Sequence, residues 1–249
     1  DVDYYARLAK QSGGPVLEYG IGNGRIAIPI ARAGVPVHGI DLSRPMLDSL
    51  RARRRDEPPA TRRRLTFTHG DMRTVRLRRR FALVIAPFNA LLHLYQLSDV
   101  EQFLGRVRAH LAPGGRFVFD YSVPHAEDLA RRPDRTYGAS RLRHPTTGQL
   151  VRYTERFEFD PLRQILLVSI GFAPVDGGEP WTVPLTHRQF FPEELRALLR
   201  YNGFDEIRFT ADFTEQPPTA EVDSMVVSCR IRRPRARHRP PVAGRARQT

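Results

Sequence analysis

Lysine is almost missing from this chain: of its 40 basic residues only Lys10 is not arginine. Cysteine is reduced to Cys229, which excludes an intramolecular disulfide and points to a cytoplasmic protein. Cys229 lies in a β-rich run with no histidine near it in sequence, so it reads as a small buried hydrophobe and not as a nucleophile. No uninterrupted apolar run reaches the ~18 residues of a membrane span, and no charged-then-apolar leader opens the sequence. Neither a membrane partner nor export is therefore expected. Nothing marks a second independent domain, and no metal site is called for. What is present suffices for one large core, since 41% of the 249 residues are hydrophobic.

The acids, at 27, leave a formal net charge of +13. Eight arginines and no acid fall in residues 230–249, beside Pro234, Pro240 and Pro241, and without them the rest of the chain carries +5. This composition predicts a folded domain over 1–229 and a basic, disordered tail over 230–249. Seven more arginines crowd Arg51 to Arg64 against Asp56 and Glu57. Such clusters can hold RNA or DNA through phosphate contacts. Aromatic residues are not interleaved with them as base stacking wants, so solvated faces are the preferred reading and nucleic acid the alternative.

The stretch Pro15 to Asp41 carries the most information. Val16 and Leu17 run into Glu18-Tyr19-Gly20-Ile21-Gly22-Asn23-Gly24, where alternate glycines let the backbone turn sharply and approach a ligand closely. Ile26, Ile30 and Ala33 then recur at helical spacing until Gly34, and Val35, Val37 and Ile40 form a second apolar run. The unit is βαβ, its strands are expected to be parallel, and its ligand belongs at their carboxyl ends. Asp41 falls at the end of the second strand, where an acid can accept from both hydroxyls of a ribose. No G-K-[ST] follows, which excludes a phosphate-gripping loop. Glu18 stands where a carboxylate repels a pyrophosphate and suits a cation.

Further along, His69-Gly70-Asp71-Met72 closes a third apolar run, and Leu111-Ala112-Pro113-Gly114-Gly115 precedes a fifth. Taken in order, these segments resemble the class I S-adenosylmethionine-dependent methyltransferases. E-x-G-x-G-x-G matches their first motif at Glu18, Gly20, Gly22 and Gly24. Asp41-Leu42-Ser43 with Met46-Leu47 resembles their ribose segment, and Gly70-Asp71-Met72-Arg73 their adenine segment. The resemblance implies an α/β fold, a doubly wound and mostly parallel seven-stranded sheet of order 3-2-1-4-5-7-6. It implies S-adenosyl-L-methionine as cofactor. Glu18 is expected near the methionine ammonium, Gly20, Gly22 and Gly24 beneath the cofactor, Asp41 on the ribose, and Asp71 and Met72 at the adenine. Arg25, Leu42, Met46, Pro87 and Phe88 complete the expected cofactor set.

Strand four, Phe81 to Pro87, is a near-continuous apolar run, as a central parallel strand should be. It ends in Ala86-Pro87-Phe88-Asn89, whereas enzymes that methylate base amines usually carry [DN]-P-P-[FYW] there. Ala86 in place of the acid or amide counts against that substrate class. His93 follows and is the candidate general base, since its unperturbed pKa lies near neutrality. From Leu150 the texture changes to alternation, with turns at Asp160-Pro161 and Asp176-Gly177-Gly178. This predicts an antiparallel three-stranded meander, inserted at about 140–191 after strand five. In the family's small-molecule members such an insertion walls off the substrate, so Asn89, Arg152, Tyr153, Trp181 and Arg188 are the candidate substrate-binding residues, with His187 near them. The expected activity is methyl transfer to an amine or hydroxyl of a small metabolite, with a homodimer possible. The alternatives are a methyltransferase associated with RNA or DNA, and a non-catalytic domain that keeps the fold for partner binding.

Overall fold

The computed structural model describes residues 1–144 and 147–232. The glycine-rich stretch folds as its spacing dictates: β1 (Val16–Tyr19), a turn, a short α2 (Ala27–Arg32), then β2 (Val37–Asp41). α1 (Val2–Ser12) precedes them and buries Tyr5, Leu8 and Ala9. Ser43 caps α3 (Arg44–Arg55), its hydroxyl accepting from the Met46 N–H, with Pro45 inside the first turn, where its missing N–H costs nothing. α4 (Pro59–Arg64), β3 (Leu65–His69) and β4 (Phe81–Ala86) follow. A 3₁₀ turn at Ala90–His93 leads to α5 (Leu97–His110) and β5 (Leu111–Ser122). After the antiparallel insertion come α7 (Pro192–Tyr201), β10 (Phe204–Ala211) and β11 (Ser224–Ile231).

The large sheet runs β3-β2-β1-β4-β5-β11-β10, which is the expected order. β3, β2, β1, β4 and β5 are parallel, and β11 runs antiparallel to both of its neighbours. Both faces are covered. Val16, Leu83 and Ile85 pack with Tyr5, Ile28, Ile30 and Leu50 on one side. Leu17, Tyr19, Val84 and Phe117 pack with Phe103, Leu104, Val107, Leu195 and Leu199 on the other. Each such side chain taken fully out of water contributes about 1.5–3 kcal/mol, whereas an exposed ion pair adds at most about 1 kcal/mol. The core, and not the abundant arginine, therefore holds the domain together.

Two elements lie beyond those that the sequence pattern marks. The arginine–proline stretch after α3 is helical at α4, because Pro59 sits in the first turn and Thr61 turns inward. The insertion has four strands, β6-β7-β8-β9, and not three. β7 (Leu150–Asp160), β8 (Ile165–Pro174) and β9 (Trp181–Arg188) form the expected meander, and β6 (Tyr137–Arg143) adds an edge. The residues Gly138, Ala139 and Ser140 have little strand preference of their own; the edge strand forms by pairing of Tyr137 and of Ser140 to Arg143 with β7, with an irregularity between them. A short α6 (Ala126–Leu129) joins β5 to this sheet.

The small sheet meets the large domain through one end. Tyr95 donates from its hydroxyl to the Thr186 carbonyl at 3.2 Å, and the His93 and His187 rings meet edge to face at 5.1 Å. Arg131, just past α6, lies over Tyr137 and Phe157 of the sheet. The last strand of the domain includes Arg230 and Ile231, two residues past the expected boundary; the rest of the expected tail, from Arg233, lies outside the described residues.

Candidate active site

Glu18 comes from β1, whose residues alternate between the two cores, and so it is carried inside with 2% of its surface exposed. Its Oε2 has no hydrogen-bond partner. Burial pushes its pKa well above the usual carboxylate range; the nearby Arg25 charge opposes this and Asp41 adds to it. The turn that follows is pinned to β2, with the N–H groups of Gly20 and Ile21 donating to the Ile40 carbonyl at 2.8 and 3.1 Å. Gly20, Gly22 and Gly24 have φ of 70°, 53° and 80°, in the left-handed region that disfavours a Cβ.

Asp41 ends β2 beside this turn. Its Oδ2 accepts from the Gly22 N–H at 2.7 Å and its Oδ1 from the Ser43 N–H at 2.8 Å. Each oxygen keeps a further lone pair for a hydroxyl donor. Leu42, Met46 and Phe88 stand around the turn with 63%, 47% and 71% of their surface exposed, an unusual outlay of large apolar groups. At β3, the Gly70 N–H donates to the Asp41 carbonyl at 2.9 Å, which ties the third segment to the second. Asp71 is occupied differently from expectation. Both of its oxygens accept from Arg73, the nearest contact being 2.6 Å, and Arg73 also reaches Asp99 at 2.7 Å. The Arg73 hydrogen bonds hold the Asp71 carboxyl below its ordinary range.

At the end of β4, Phe88 and Asn89 both have positive φ, 55° and 62°. The Asn89 side chain bonds to β5, accepting from the Ser122 N–H at 2.7 Å and donating to the Ser122 hydroxyl at 3.1 Å. The Arg25 guanidinium lies over the Phe88 ring at 5.0 Å and pairs with Asp1 at 2.6 Å. His93 is exposed by area, yet the protein packed around its ring lowers its pKa. His187 is desolvated further, and with His93 close by its pKa falls to about 4. Both imidazoles are therefore neutral at physiological pH.

The candidate substrate residues are not brought together. Tyr153 and Trp181 share one face of the small sheet, Trp181 stacked on Phe172 at 5.4 Å and Tyr153 edge-on to Phe172 at 5.7 Å, with His144 against the pair. Along β9 they lie six residues from His187, roughly 20 Å at a strand's rise. Arg152 points to the opposite face, exposed and directly across from Arg141. Arg188 is buried and structural: it donates to the Tyr95 carbonyl at 3.3 Å, pairs with Glu194 at 3.0 Å and covers the Phe190 ring. One group that the sequence reading passed over stands beside the turn. Asp120, near the end of β5, is 4% exposed and accepts from the Tyr5 hydroxyl and from the Phe88 N–H. A single acid in the apolar run Phe117-Val118-Phe119-Asp120-Tyr121 was its only signal.

Residues 16–115 match the family model described as a methyltransferase domain. The fold is shared with the CcbJ methyltransferase of Streptomyces caelestis at 28% identity and a TM-score of 0.79, over 94% of this chain and 91% of that one. The chain carries an S-adenosylmethionine-dependent methyltransferase domain with the class I fold. This methyltransferase is also 27% identical over 220 residues to the cypemycin N-terminal methyltransferase of a Streptomyces species, covering 86% of this chain and 82% of the relative. The glycopeptide N-methyltransferase MtfA in complex with S-adenosyl-L-methionine aligns at 25% identity and a TM-score of 0.63, over 93% and 94% of the two chains. The residues present fit such a cofactor: a buried carboxylate oxygen without a partner, a second carboxylate with spare lone pairs, glycines where a Cβ is disfavoured, and apolar side chains at the rim. No helix among the described residues is long and apolar enough to cross a membrane.

Proposed function

We propose that this methyltransferase acts on an amine nitrogen of a small metabolite or a modified peptide. Of the relatives named above, MtfA is an N-methyltransferase and the cypemycin enzyme is named for an N-terminus, which supports an amine over a hydroxyl. The observation that carries the reading is the place of His93, just past the carboxyl end of β4 and edge to face with His187 of β9, where burial lowers its pKa. S-adenosylmethionine brings a methyl already activated by its positive sulfur. The protein's part is to bind, orient and exclude water.

In this reading the Glu18 carboxylate faces the methionine ammonium, and the glycine turn lets the backbone pass close beneath the cofactor. Asp41 accepts from the ribose hydroxyls while its bonds to Gly22 and Ser43 keep it in place. Leu42, Met46 and Met72 flank the adenine, and Asp71 acts chiefly by anchoring Arg73, which fixes the segment that carries Met72. Pro87 and Phe88 close the site on the side of the acceptor. His93 takes the proton that an ammonium acceptor must lose before its nitrogen can attack. Asn89 shapes the acceptor's wall through Ser122, and Tyr153 and Trp181 reach only an acceptor long enough to extend along the small sheet.

Incubation of the purified protein with S-adenosylmethionine and a panel of primary and secondary amines, read by mass spectrometry, tests this. A product heavier by one or two methyl groups is expected. His93→Ala should lower kcat on that acceptor about 100-fold or more, with cofactor affinity unchanged. Unaltered turnover rejects His93 as the base.

A further inference from the structure

Phe88 and Asn89 adopt left-handed backbone conformations in succession, at φ of 55° and 62°. Asparagine tolerates this region, but phenylalanine is disfavoured there by its β-carbon, and such a turn persists only when its surroundings over-determine it. The surroundings here are chiefly one side chain. Asp120 receives the Phe88 N–H at 3.0 Å on each carboxylate oxygen. The same carboxylate accepts from the Tyr5 hydroxyl, so α1 is bolted to the same point. Both partners are donors, and the group is buried.

The turn has a definite product. It throws the Phe88 ring outward, 71% exposed, where Arg25 from the end of the glycine turn lies over it. We infer that Asp120 is a positioning residue for methyl transfer, which fixes the Phe88–Asn89 turn and so sets the wall where cofactor and acceptor meet. The inference rests on the proposed place of Phe88 at the cofactor site. Asp120 touches neither reactant. An amide at this position offers one accepting oxygen and turns an NH₂ toward N–H groups, so Asp120→Asn is the sharp variant.

The test is a double-mutant cycle on the full chain, with S-adenosylmethionine and S-adenosylhomocysteine as probes in calorimetry. Asp120→Asn should weaken cofactor binding about 10- to 100-fold, and amide exchange at Phe88 should accelerate. In the Phe88→Gly background, where the left-handed conformation is free, the same change should cost less than about threefold. Equal losses in both backgrounds overturn the inference, as does an Asp120→Asn protein that binds like the parent. Should Asp120→Asn not fold, exchange in the unmodified protein decides: the Phe88 amide must be protected, and fast exchange there overturns it. Failure of the unmodified protein to bind either probe overturns the methyltransferase reading itself.

Discussion

At Glu18, burial and charge pull in opposite directions. Removal from water favours the protonated acid, and the Arg25 charge favours the carboxylate; burial is the larger effect. A cation seated against the unpartnered Oε2 reverses the balance, so cofactor binding should expel a proton. Calorimetry in weakly acidic buffers of different ionisation heats should show an apparent binding enthalpy that varies with the buffer. Glu18→Gln should abolish that variation and weaken binding about 10- to 100-fold. A buffer-independent enthalpy for the parent protein would remove this account. Glu18 and Asp41 were legible in the sequence because the glycine spacing fixes where a strand ends and a turn begins. Asp120 was not, because its importance arises only when the end of β5 comes to lie beside the end of β4, and no spacing within either strand shows that.

The glycine turn and β2 act as one element, and Gly39 joins them. A Cβ there would lie 2.0, 2.5 and 2.7 Å from the Cδ1, Cβ and Cγ1 of Ile21. Since the Ile21 Cβ itself is among these atoms, a rotamer change cannot clear the clash, and the backbone of the turn must shift. Gly39→Ala should therefore cost about 1–3 kcal/mol, several degrees in Tm, and should weaken cofactor binding as well. Gly105 in α5 is the control, for nothing lies within 4 Å of its added Cβ. Gly105→Ala should be neutral or stabilise the protein by up to about 1 kcal/mol, with binding unchanged. Elements with strong periodicity were legible to within a few residues: the five parallel strands, α5, α7 and the β7–β9 meander. α4 and β6 were not, since arginine-rich or glycine-, alanine- and serine-containing segments have no apolar pattern and take their form from neighbours. The grouping of Tyr153, Arg152 and Arg188 failed for a geometric reason. Alternation puts neighbours in a strand on opposite faces, and a long strand separates its ends.

Across the whole molecule, the docking of the small sheet is sensitive to protons. His187 on β9 and His93 on the 3₁₀ turn are both held neutral, each with a pKa below its ordinary value, and that of His187 at about 4. The unfolded chain takes up protons near pH ~6.5 while the folded pair resists. Stability is thus fully present above about pH 6.5 and is lost as the pH falls toward 4. Tm should decline over this interval, and His187→Gln should flatten part of the decline. Part should remain, because His38, buried between Thr66 and Thr68, is depressed to about 4 in the same way. An unchanged slope in the variant would show that the histidine pair does not govern docking.

The small sheet is attached near one end, and the chain's single tryptophan, Trp181, is set at the opposite end among Phe172 and His144. The domain that carries the cofactor platform has none. Tryptophan fluorescence of this enzyme therefore reports on the inserted sheet alone, while far-ultraviolet dichroism is weighted toward the helices and parallel strands of the large domain. Melting of the inserted sheet and melting of the large domain can be recorded here as separate signals from unlabelled protein.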